Sequence, residues 1–399
     1  MRSLALRGAA SLSPAAVKQM WRDLSGVDTL NLDFDVGPSG RGARFSAPRL
    51  LFRADHLDQV APCFEAMETA RSQGVWLAGM MSYELGYGFS DRLSNIIPEQ
   101  RDVPLMLFGA YDAPEALMPE APPFDGVLDL SAGVTRADYD AAFAKAKDYI
   151  AAGDVYQINL TFPLVGRTSA APRALYAALK QGQPVGHGCL VEAEDFALLS
   201  RSPELFFSVD ENRRAVARPM KGTAPRGTTP EQDGVQAEWL RGSEKNRAEN
   251  LMIVDLMRND LSRIAEIGSV KVPKLFEIET YATLHQMTST VTANLLPVTF
   301  AAMAEALFPC GSITGAPKIR AMQIIRELEP FARGAYCGAI GWIAPSGAME
   351  FSVAIRTLTL RDGKVMLNVG GGIVADSRVE EEWEEALCKA AFATSRPQA

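Results

Sequence analysis

Two acidic segments of the sequence carry side chains suited to a hard metal ion. Residues 380–385 read Glu-Glu-Glu-Trp-Glu-Glu, so Glu382 and Glu385 are three apart and share one face of a helix. Glu249 opens the largely apolar segment 249–264. Mg²⁺ commonly takes one or two carboxylates and completes its shell with water and substrate oxygens, so one acid from each segment would suit it. The alternatives are a solvated first helical turn for the first segment and an N-terminal cap for Glu249.

Two glycine-rich stretches could place backbone N–H groups around an anion. Residues 311–318 read GSITGAPK, in which a proline follows the glycines and begins a helix. Free N–H groups at such a helix start can hold a carboxylate or a phosphate, although an ordinary entry turn is an equal alternative. The spacing is not that of a Walker A loop, which argues against ATP. Residues 370–372 are three glycines, which permit a close backbone approach or a tight bend, and we expect the bend.

A lysine and a histidine are candidates for proton transfer or covalent chemistry. Lys221 stands in the segment RPMKGT, between a nearby proline and a glycine. If it is desolvated or lies beside other cations, its amine can lose its proton and act as a nucleophile, whereas most lysines are simply solvated. His285 is equally ambiguous, because a histidine that is satisfied by hydrogen bonds in the core is the commoner case.

The elements that must position these residues follow from hydrophobic periodicity. We predict helices at 57–73, 137–152, 249–264, 299–307, 317–328 and 380–392. We predict strands at 75–81, 155–164, 187–191, 197–200, 205–209, 338–344, 349–360 and 364–369. Grouped strands and grouped helices indicate an α+β fold, with antiparallel sheets covered by helices. The segment 113–131 holds four prolines and divides an N-terminal region, 1–112, from a larger domain, 132–396.

Composition excludes several classes of partner. The 399 residues carry a net charge of −8, which argues against nucleic acid or an anionic membrane as a partner. The longest apolar stretch, 295–308, is interrupted by a glutamate and is too short to span a bilayer. Five scattered cysteines without a CxxC pair fit a reducing compartment. We therefore expect a cytoplasmic protein.

Several segments together resemble the chorismate-binding family, which includes anthranilate synthase large subunits and aminodeoxychorismate synthase component I. They are GDVYQINL (153–160), SRSPELFF (200–207), RPMKGTAPRG (218–227), the stretch 246–279, FPCGSITGAPKIRAMQIIRELEP (308–330), YCGAIGW (336–342), SVAIRTL (352–358) and GGGIVADSRVEEEWEEALCKA (370–390). They come in the family's order and cover about two thirds of the chain. The resemblance implies two stacked antiparallel sheets flanked by helices, with the ligand at the core.

The resemblance also implies a set of site residues. The implied magnesium ligands are Glu249 and Glu385, with Glu382 acting through water. His285 matches a histidine near the reacting ring, and Asn246 stands where family members commonly carry another acid. The remaining matches are positions that bind the substrate: Gln157, Thr314, Gly315, Tyr336, Arg356, Gly371, Gly372 and Lys389.

Within the family, Lys221 separates two chemistries. Anthranilate-type members carry Ala at this position, and aminodeoxychorismate synthases carry Lys. The implied reaction begins when Lys221 attacks C2 of chorismate as the C4 hydroxyl leaves, protonated by Glu204. Ammonia then adds at C4 and expels the lysine. Relatives that form isochorismate or salicylate use a lysine at the position of Gln157 to activate water, so this chain is not expected to be one of them.

The source of ammonia and the fate of the product imply partners. No cysteine stands in a G-x-C-x-G elbow, so we expect a separate glutamine amidotransferase, or free ammonium, to supply the nitrogen. We expect the chain to stop at aminodeoxychorismate, which a downstream aminodeoxychorismate lyase would consume. The alternatives are amination at C2, by an anthranilate or 2-amino-2-deoxyisochorismate synthase, and a non-catalytic chorismate-binding subunit.

Overall fold

Strands and helices fill most of the computed structural model, which describes residues 29–281 and 284–394. The strands are β1 (Leu30–Phe34), β2 (Ala43–Phe45), β3 (Leu50–Ala54), β4 (Trp76–Met81), β5 (Met106–Tyr111), β6 (Leu130–Ala132), β7 (Gln157–Arg167), β8 (His187–Ala193), β9 (Ala197–Ser202), β10 (Leu205–Val209), β11 (Arg214–Ala217), β12 (Met220–Pro225), β13 (Lys271–Thr280), β14 (Leu284–Asn294), β15 (Gly315–Ala316), β16 (Ala339–Ile343), β17 (Met349–Val353), β18 (Thr357–Arg361) and β19 (Lys364–Ile373). The helices are α1 (Leu57–Ser72), α2 (Arg136–Ala151), α3 (Pro172–Gly182), α4 (Pro230–Gly242), α5 (Glu244–Ser262), α6 (Phe300–Leu307), α7 (Lys318–Leu328), α8 (Val379–Cys388) and α9 (Ala391–Thr394). Short 3₁₀ turns lie at Tyr83–Phe89, Ser94–Ile96 and Gly311–Ile313.

The strands form two antiparallel sheets. The first has the order β15–β7–β19–β18–β9–β8–β1–β2, with β6 also paired to β7. The second has the order β12–β14–β11–β10–β17–β16–β4–β5–β3, with β13 also paired to β14. The predicted α+β class with two antiparallel sheets is confirmed. Among the described residues, no helix is long and apolar enough to cross a bilayer.

The region before residue 113 contributes strands to both sheets. In the first sheet β1 pairs with β8, and in the second β4 pairs with β16. Leu32, Met80 and Leu198, from three different strands, are fully buried in one apolar cluster between the sheets. Burial of each such side chain is worth roughly 1.5–3 kcal/mol, so this cluster stabilises the stack. The hydrogen-bonded sheets therefore continue across the division that the sequence suggests at 113–131.

Two of the places where the chain passes from one sheet to the other are neighbours. One passage joins β9 to β10 through Pro203–Glu204, and the other joins β17 to β18 through Arg356. The prediction of one continuous strand at 349–360 was wrong, because Arg356 has a φ of +50° and breaks the extended run. The N–H of Arg201 donates to the carbonyl of Arg356, which ties the two passages together. Glu204 and Arg356 thus reach the same part of the molecule.

The three glycines at 370–372 do not form the predicted bend. They continue β19, which pairs with β7 along its whole length. A Cβ on Gly370 would lie 2.3 Å from the carbonyl oxygen of Leu160, and one on Gly372 would lie 2.8 Å from Nε2 of Gln157. The glycines are needed for close approach within a strand, because the long pairing with β7 supplies the hydrogen bonds that an isolated glycine run lacks.

The helix that carries Glu249 begins earlier than the sequence suggests. It starts at Glu244, and the side chain of Ser243 caps it by accepting from the N–H of Asn246. Glu249 therefore lies more than one turn inside α5 and is not an N-terminal cap. The acidic segment at 380–385 forms most of α8, as predicted, although that helix ends at Cys388 and a short α9 follows.

Candidate active site

Lys221 lies at a β-bulge on the edge of the second sheet. Met220 pairs with Thr288 and Thr223 pairs with Gln286, so Lys221 and Gly222 together stand opposite a single residue of β14. Gly222 has a φ of +92°, which glycine adopts readily. Bulges of this kind re-aim a side chain and occur often beside active sites. This one directs Lys221 towards the first sheet, where a Cβ on Gly372 would lie 2.9 Å from Nζ of Lys221.

The surroundings of the Lys221 amine favour its neutral form. Burial lowers its pKa, and the nearby charge of Lys389 lowers it further. The charges of Glu249, Glu204 and Glu385 act in the opposite direction but do not outweigh burial. An amine with a lowered pKa is unprotonated for a larger fraction of the time, which is the state that a nucleophile needs.

Glu204 is a buried carboxyl group next to this amine. Its side chain is 4% exposed, and its Oε1 accepts a hydrogen bond of 2.8 Å from Oγ of Ser312. The N–H of Met220, the residue before Lys221, also donates to it. Burial raises the pKa of Glu204 to about 7, against smaller opposing effects from Ser312 and Lys221. At neutral pH the group is therefore protonated about half of the time and can donate a proton.

The acids of α5 and α8 face the same amine. The charges of Glu249 and Glu385 both act on Lys221, so one acid from each of the two helices lies near this amine. Glu385 forms an ion pair of 2.8 Å with Lys389, whose Nζ also donates to the carbonyl of Gly370 at 2.8 Å. These acids therefore border the end of β19 that holds the three glycines.

Glu382 lies one turn before Glu385 on the same face of α8. It accepts a hydrogen bond of 2.6 Å from Oγ of Ser377, and a Cβ on Gly371 would lie 2.7 Å from its Oε2. Within residues 29–281 and 284–394, no three carboxylate, thiol or imidazole side chains form a metal site by themselves. Two carboxylates that lie near the same amine, Glu249 and Glu385, nevertheless fit Mg²⁺, provided that water and substrate oxygens complete the shell.

Gln157 points into the site without a partner. It is fully buried, and among the described residues neither of its side-chain polar atoms has a hydrogen-bond partner. A buried amide left unpaired costs roughly 1–3 kcal/mol, so a ligand that satisfies it gains this energy. Its Nε2 lies against the same face of Gly372 as the amine of Lys221.

The loop that contains Thr314 and Gly315 packs directly beside Gln157. Gly315 pairs with Ile158 of β7, and its φ of +139° excludes other residues. The hydroxyl of Thr314 donates to the carbonyl of Cys310 at 2.8 Å, inside the loop. Tyr336 is buried in the core next to Cys337, and its burial raises its pKa. The structure therefore brings Thr314 and Gly315 to the site and places Tyr336 behind it.

Arg356 lines a pocket beside the segments that carry Glu204 and Lys221. Pro203, Met220 and Tyr281 also line it, and the first two directly precede Glu204 and Lys221 in the sequence. Burial lowers the pKa of Arg356. No carboxylate of the described chain lies within ion-pair distance of its guanidinium. A partly buried cation without a protein counter-ion is suited to an anionic ligand, and Arg binds a carboxylate through two parallel hydrogen bonds.

His285 lies on the face of β14 that points away from this pocket, where two hydrogen bonds hold its ring. Its Nε2 lies 2.8 Å from Oδ1 of Asp233 on α4, and its Nδ1 lies 3.0 Å from Oγ1 of Thr280. It is 2% exposed, which matches the satisfied core histidine that the sequence left open. Among the described residues no contact joins it to Lys221 or Glu204, so its placement near the reacting ring stays a prediction.

Gln286, the next residue, is the one that lines the pocket, and sequence reasoning missed it. Successive side chains of a strand point to opposite faces, so His285 and Gln286 cannot both face the pocket. The one signal in the sequence was the apolar Met287, which shares the face of His285 and packs against Leu240 of α4.

A buried ion pair supports the loop and β7 from behind. Arg333 bonds Glu329 at 2.7 Å, and both side chains are at most 2% exposed. The same guanidinium donates to the carbonyls of Ile313 and Asn159, which belong to the loop and to β7. Glu84 accepts from the N–H of Arg333 at 2.8 Å. This network joins the two segments that position Gln157, Thr314 and Gly315.

Comparisons with known proteins point to one family. The family model described as chorismate binding enzyme matches residues 115–395. The chain is 45% identical over 262 residues to aminodeoxychorismate synthase component 1 of Escherichia coli, which is 65% of this chain and 58% of that protein. It is 42% identical over 259 residues to anthranilate synthase component 1 of Pseudomonas aeruginosa, which is 65% of this chain and 52% of that protein. The matched region thus spans less than two thirds of either relative.

A solved structure shows the same fold. Anthranilate synthase component I from Streptococcus pneumoniae superposes with a TM-score of 0.73 at 23% sequence identity. The superposition covers 100% of this chain and 95% of that one. The architecture that the motifs implied, two stacked antiparallel sheets flanked by helices, is therefore confirmed.

Proposed function

This chain belongs to the chorismate-binding enzyme family, and we propose that it aminates chorismate at C4 to give 4-amino-4-deoxychorismate. The observation that carries the proposal is the amine of Lys221. It is partly buried, which lowers its pKa, and it lies near a second cation, Lys389. It shares the site with Glu204, whose pKa of about 7 suits a proton donor. A tethered amine in this setting is a nucleophile, whereas a site that aminates C2 directly has no use for one.

The proposed reaction has two balanced steps. In the first, Nζ of Lys221 bonds to C2 of chorismate, the two conjugated ring double bonds shift towards C4, and the C4 hydroxyl leaves as water with the proton of Glu204. The lysine nitrogen is then a protonated secondary amine. In the second, ammonia bonds to C4, the ring double bonds shift back, and the C2–N bond breaks to release the neutral lysine amine. The proton that the new C4 ammonium group loses returns to Glu204. Holding the amine against the ring replaces an encounter between molecules by an intramolecular step, which accounts for much of the expected rate gain.

The charged groups around Lys221 suit a dianionic substrate. Arg356 would bind one carboxylate, because its guanidinium faces a pocket without a protein counter-ion. We propose Mg²⁺ as the cofactor, held by Glu249 and Glu385 with Glu382 acting through water. When bound, the ion would neutralise a substrate carboxylate. Lys389 now pairs with Glu385, so this ion pair would open when the metal binds.

The nitrogen source and the product imply partners. The relative from Escherichia coli is named a component 1, which for that protein implies a second component. We propose that a glutamine amidotransferase supplies ammonia to this chain and that an aminodeoxychorismate lyase consumes the product. We also propose a cytoplasmic location, because the five cysteines are free thiols and four of them are buried.

Amination of chorismate at C2 is the competing function. Sequence identity to known relatives does not distinguish it from amination at C4. The identities to the aminodeoxychorismate and anthranilate synthase relatives are 45% and 42%. Lys221 is the feature that favours C4.

The test is to incubate the protein with chorismate, Mg²⁺ and ammonium chloride and to identify the product. The wild type should form 4-amino-4-deoxychorismate, which added lyase converts to 4-aminobenzoate. Lys221→Ala should lose most C4 amination or divert product to C2, and Lys274→Ala, at an exposed lysine, should behave as wild type. Unchanged C4 amination by Lys221→Ala would remove the lysine from the mechanism. Chorismate binding without any turnover would instead indicate a non-catalytic subunit.

A further inference from the structure

The bulge at Lys221 needs partners for the backbone groups that it takes out of the ladder. A bulge leaves one residue unpaired and disrupts the local hydrogen bonds. Here the side chain of Gln286 replaces them, since its Nε2 donates to the carbonyl of Gly222 at 2.8 Å. Its Oε1 accepts from Oγ1 of Thr223 at 3.2 Å. One amide thus spans the two residues that follow Lys221.

The opposite side of the bulge is closed by α5. A Cβ on Gly222 would lie 2.9 Å from Cβ of Asn246 and 3.0 Å from its Oδ1. Asn246 is itself fixed, because its Nδ2 donates to Oγ of Ser243 at 2.9 Å and its N–H joins the cap of the helix. The turn at Gly222 is therefore held between the amide of Gln286 and the first turn of α5.

The hydrogen-bonding groups of Gln286 are used within the protein. Gln286 lines the pocket that Arg356 also lines, so it stands at the edge of the proposed substrate site. Its Nε2 and Oε1 each already have a partner in the bulge. Its main effect on the reaction should therefore pass through the backbone at Lys221 and not through a bond to the substrate.

We infer that Gln286 is a positioning residue. Its hydrogen bonds hold the bulge at Lys221–Gly222 in one conformation, and this conformation orients the lysine amine towards the substrate ring. The inference rests on the proposed function, in which that amine attacks the ring. If these hydrogen bonds are lost, chorismate can still bind through its carboxylates, but the lysine amine adopts other orientations. A misplacement of about 1 Å can cost on the order of 100-fold in rate.

The test separates positioning from substrate binding. The full-length protein is mixed with chorismate and Mg²⁺ without ammonia, and intact-mass spectrometry follows the adduct on Lys221 with time. For Gln286→Leu we expect adduct formation and kcat to fall together by about 10- to 100-fold, and the KM and Kd for chorismate to change by less than about 3-fold. Gln286→Glu, which keeps the acceptor for Thr223 but loses the donor to Gly222, should show the same pattern. Thr223→Val, which keeps that donor, should lose less.

Controls and contrary outcomes keep the inference separate from the proposed function. Gln181→Leu, at an exposed position of α3, removes a side chain of the same type and should leave every rate unchanged. Weaker chorismate binding with a normal adduct rate in Gln286→Leu would make Gln286 a substrate contact and overturn the inference. Normal rates in both Gln286→Leu and Gln286→Glu would overturn it as well. If the wild type forms no adduct, the proposed covalent step fails first, and the inference falls with it.

Discussion

Replacing Glu204 by Gln removes a buried carboxyl group that resists ionisation. The group is 4% exposed, and burial is the main reason that its pKa rises from 4.5 to about 7. Because the folded state holds this proton more tightly than the unfolded state, the carboxyl group stabilises the fold fully only below about pH 4.5. That contribution is lost as the pH rises through about 7.

The size of the effect follows from the shift. About 2.5 pH units separate the ordinary and the folded-state pKa, and each unit is worth about 1.4 kcal/mol, so the full loss is about 3–4 kcal/mol. Gln cannot ionise and has a similar shape, so Glu204→Gln should lack this pH dependence. Relative to wild type, the free energy of unfolding of the variant should therefore rise by about 2–3 kcal/mol between about pH 5 and about pH 8.

Urea unfolding of both proteins across this pH range measures the difference directly. Burial also raises the pKa of Glu84 to about 7. Glu84 titrates in both proteins, so its contribution cancels from the difference between their free energies of unfolding. Glu211→Gln, at an exposed turn, controls for the loss of one negative charge. A difference between Glu204→Gln and wild type that stays constant with pH would refute the account of Glu204 as a proton-holding acid.

Three further predictions concern substrate, metal and scaffold. Arg356→Ala should raise the KM for chorismate by about 10- to 100-fold, because a charge-assisted hydrogen bond is worth roughly 1.5–3 kcal/mol; a changed kcat with an unchanged KM would contradict this. Glu249→Gln should weaken Mg²⁺ binding, measured by calorimetry in the presence of chorismate, by more than the ~10-fold that follows loss of an outer-shell partner; equal affinity would exclude Glu249 as a ligand. Arg333→Met should lower the free energy of unfolding in urea by about 3–5 kcal/mol, because it leaves Glu329 buried without its cation; a cost below about 1 kcal/mol would show that the pair does not support the fold.

The parts of the fold that the sequence predicted are those with strong periodicity. The helix at 57–73 and the strand at 205–209 agree with the observed α1 and β10 to within a residue. The prediction of one strand at 349–360 failed because strand-forming residues lie on both sides of Arg356. The positive φ of Arg356 moves the chain to the other sheet at that point. The predicted bend at the glycines 370–372 failed because pairing of β19 with the distant strand β7 overrides the local preference of glycine for a bend.

The sequence predicted which residues form the site, but it did not predict how they are arranged in space. Lys221 and Glu204 are more than a dozen residues apart in sequence, and only the bulge and the passage between the sheets bring them together. Which face of β14 lines the pocket depends on the register of the strand, so the sequence alone does not show whether His285 or Gln286 faces it. The placement of Glu249 of α5 and Glu385 of α8 near the same lysine depends on long-range packing that no local pattern reveals.

The central claim is that the amine of Lys221 forms a bond to the substrate ring. The direct measurement is a peptide map by mass spectrometry, after the protein has been quenched during incubation with chorismate and Mg²⁺ in the absence of ammonia. We expect the peptide containing Lys221 to gain the mass of chorismate less one water, and we expect ammonium chloride to remove this adduct as product forms. An unmodified Lys221 peptide in a protein that aminates C4 at full rate would contradict it.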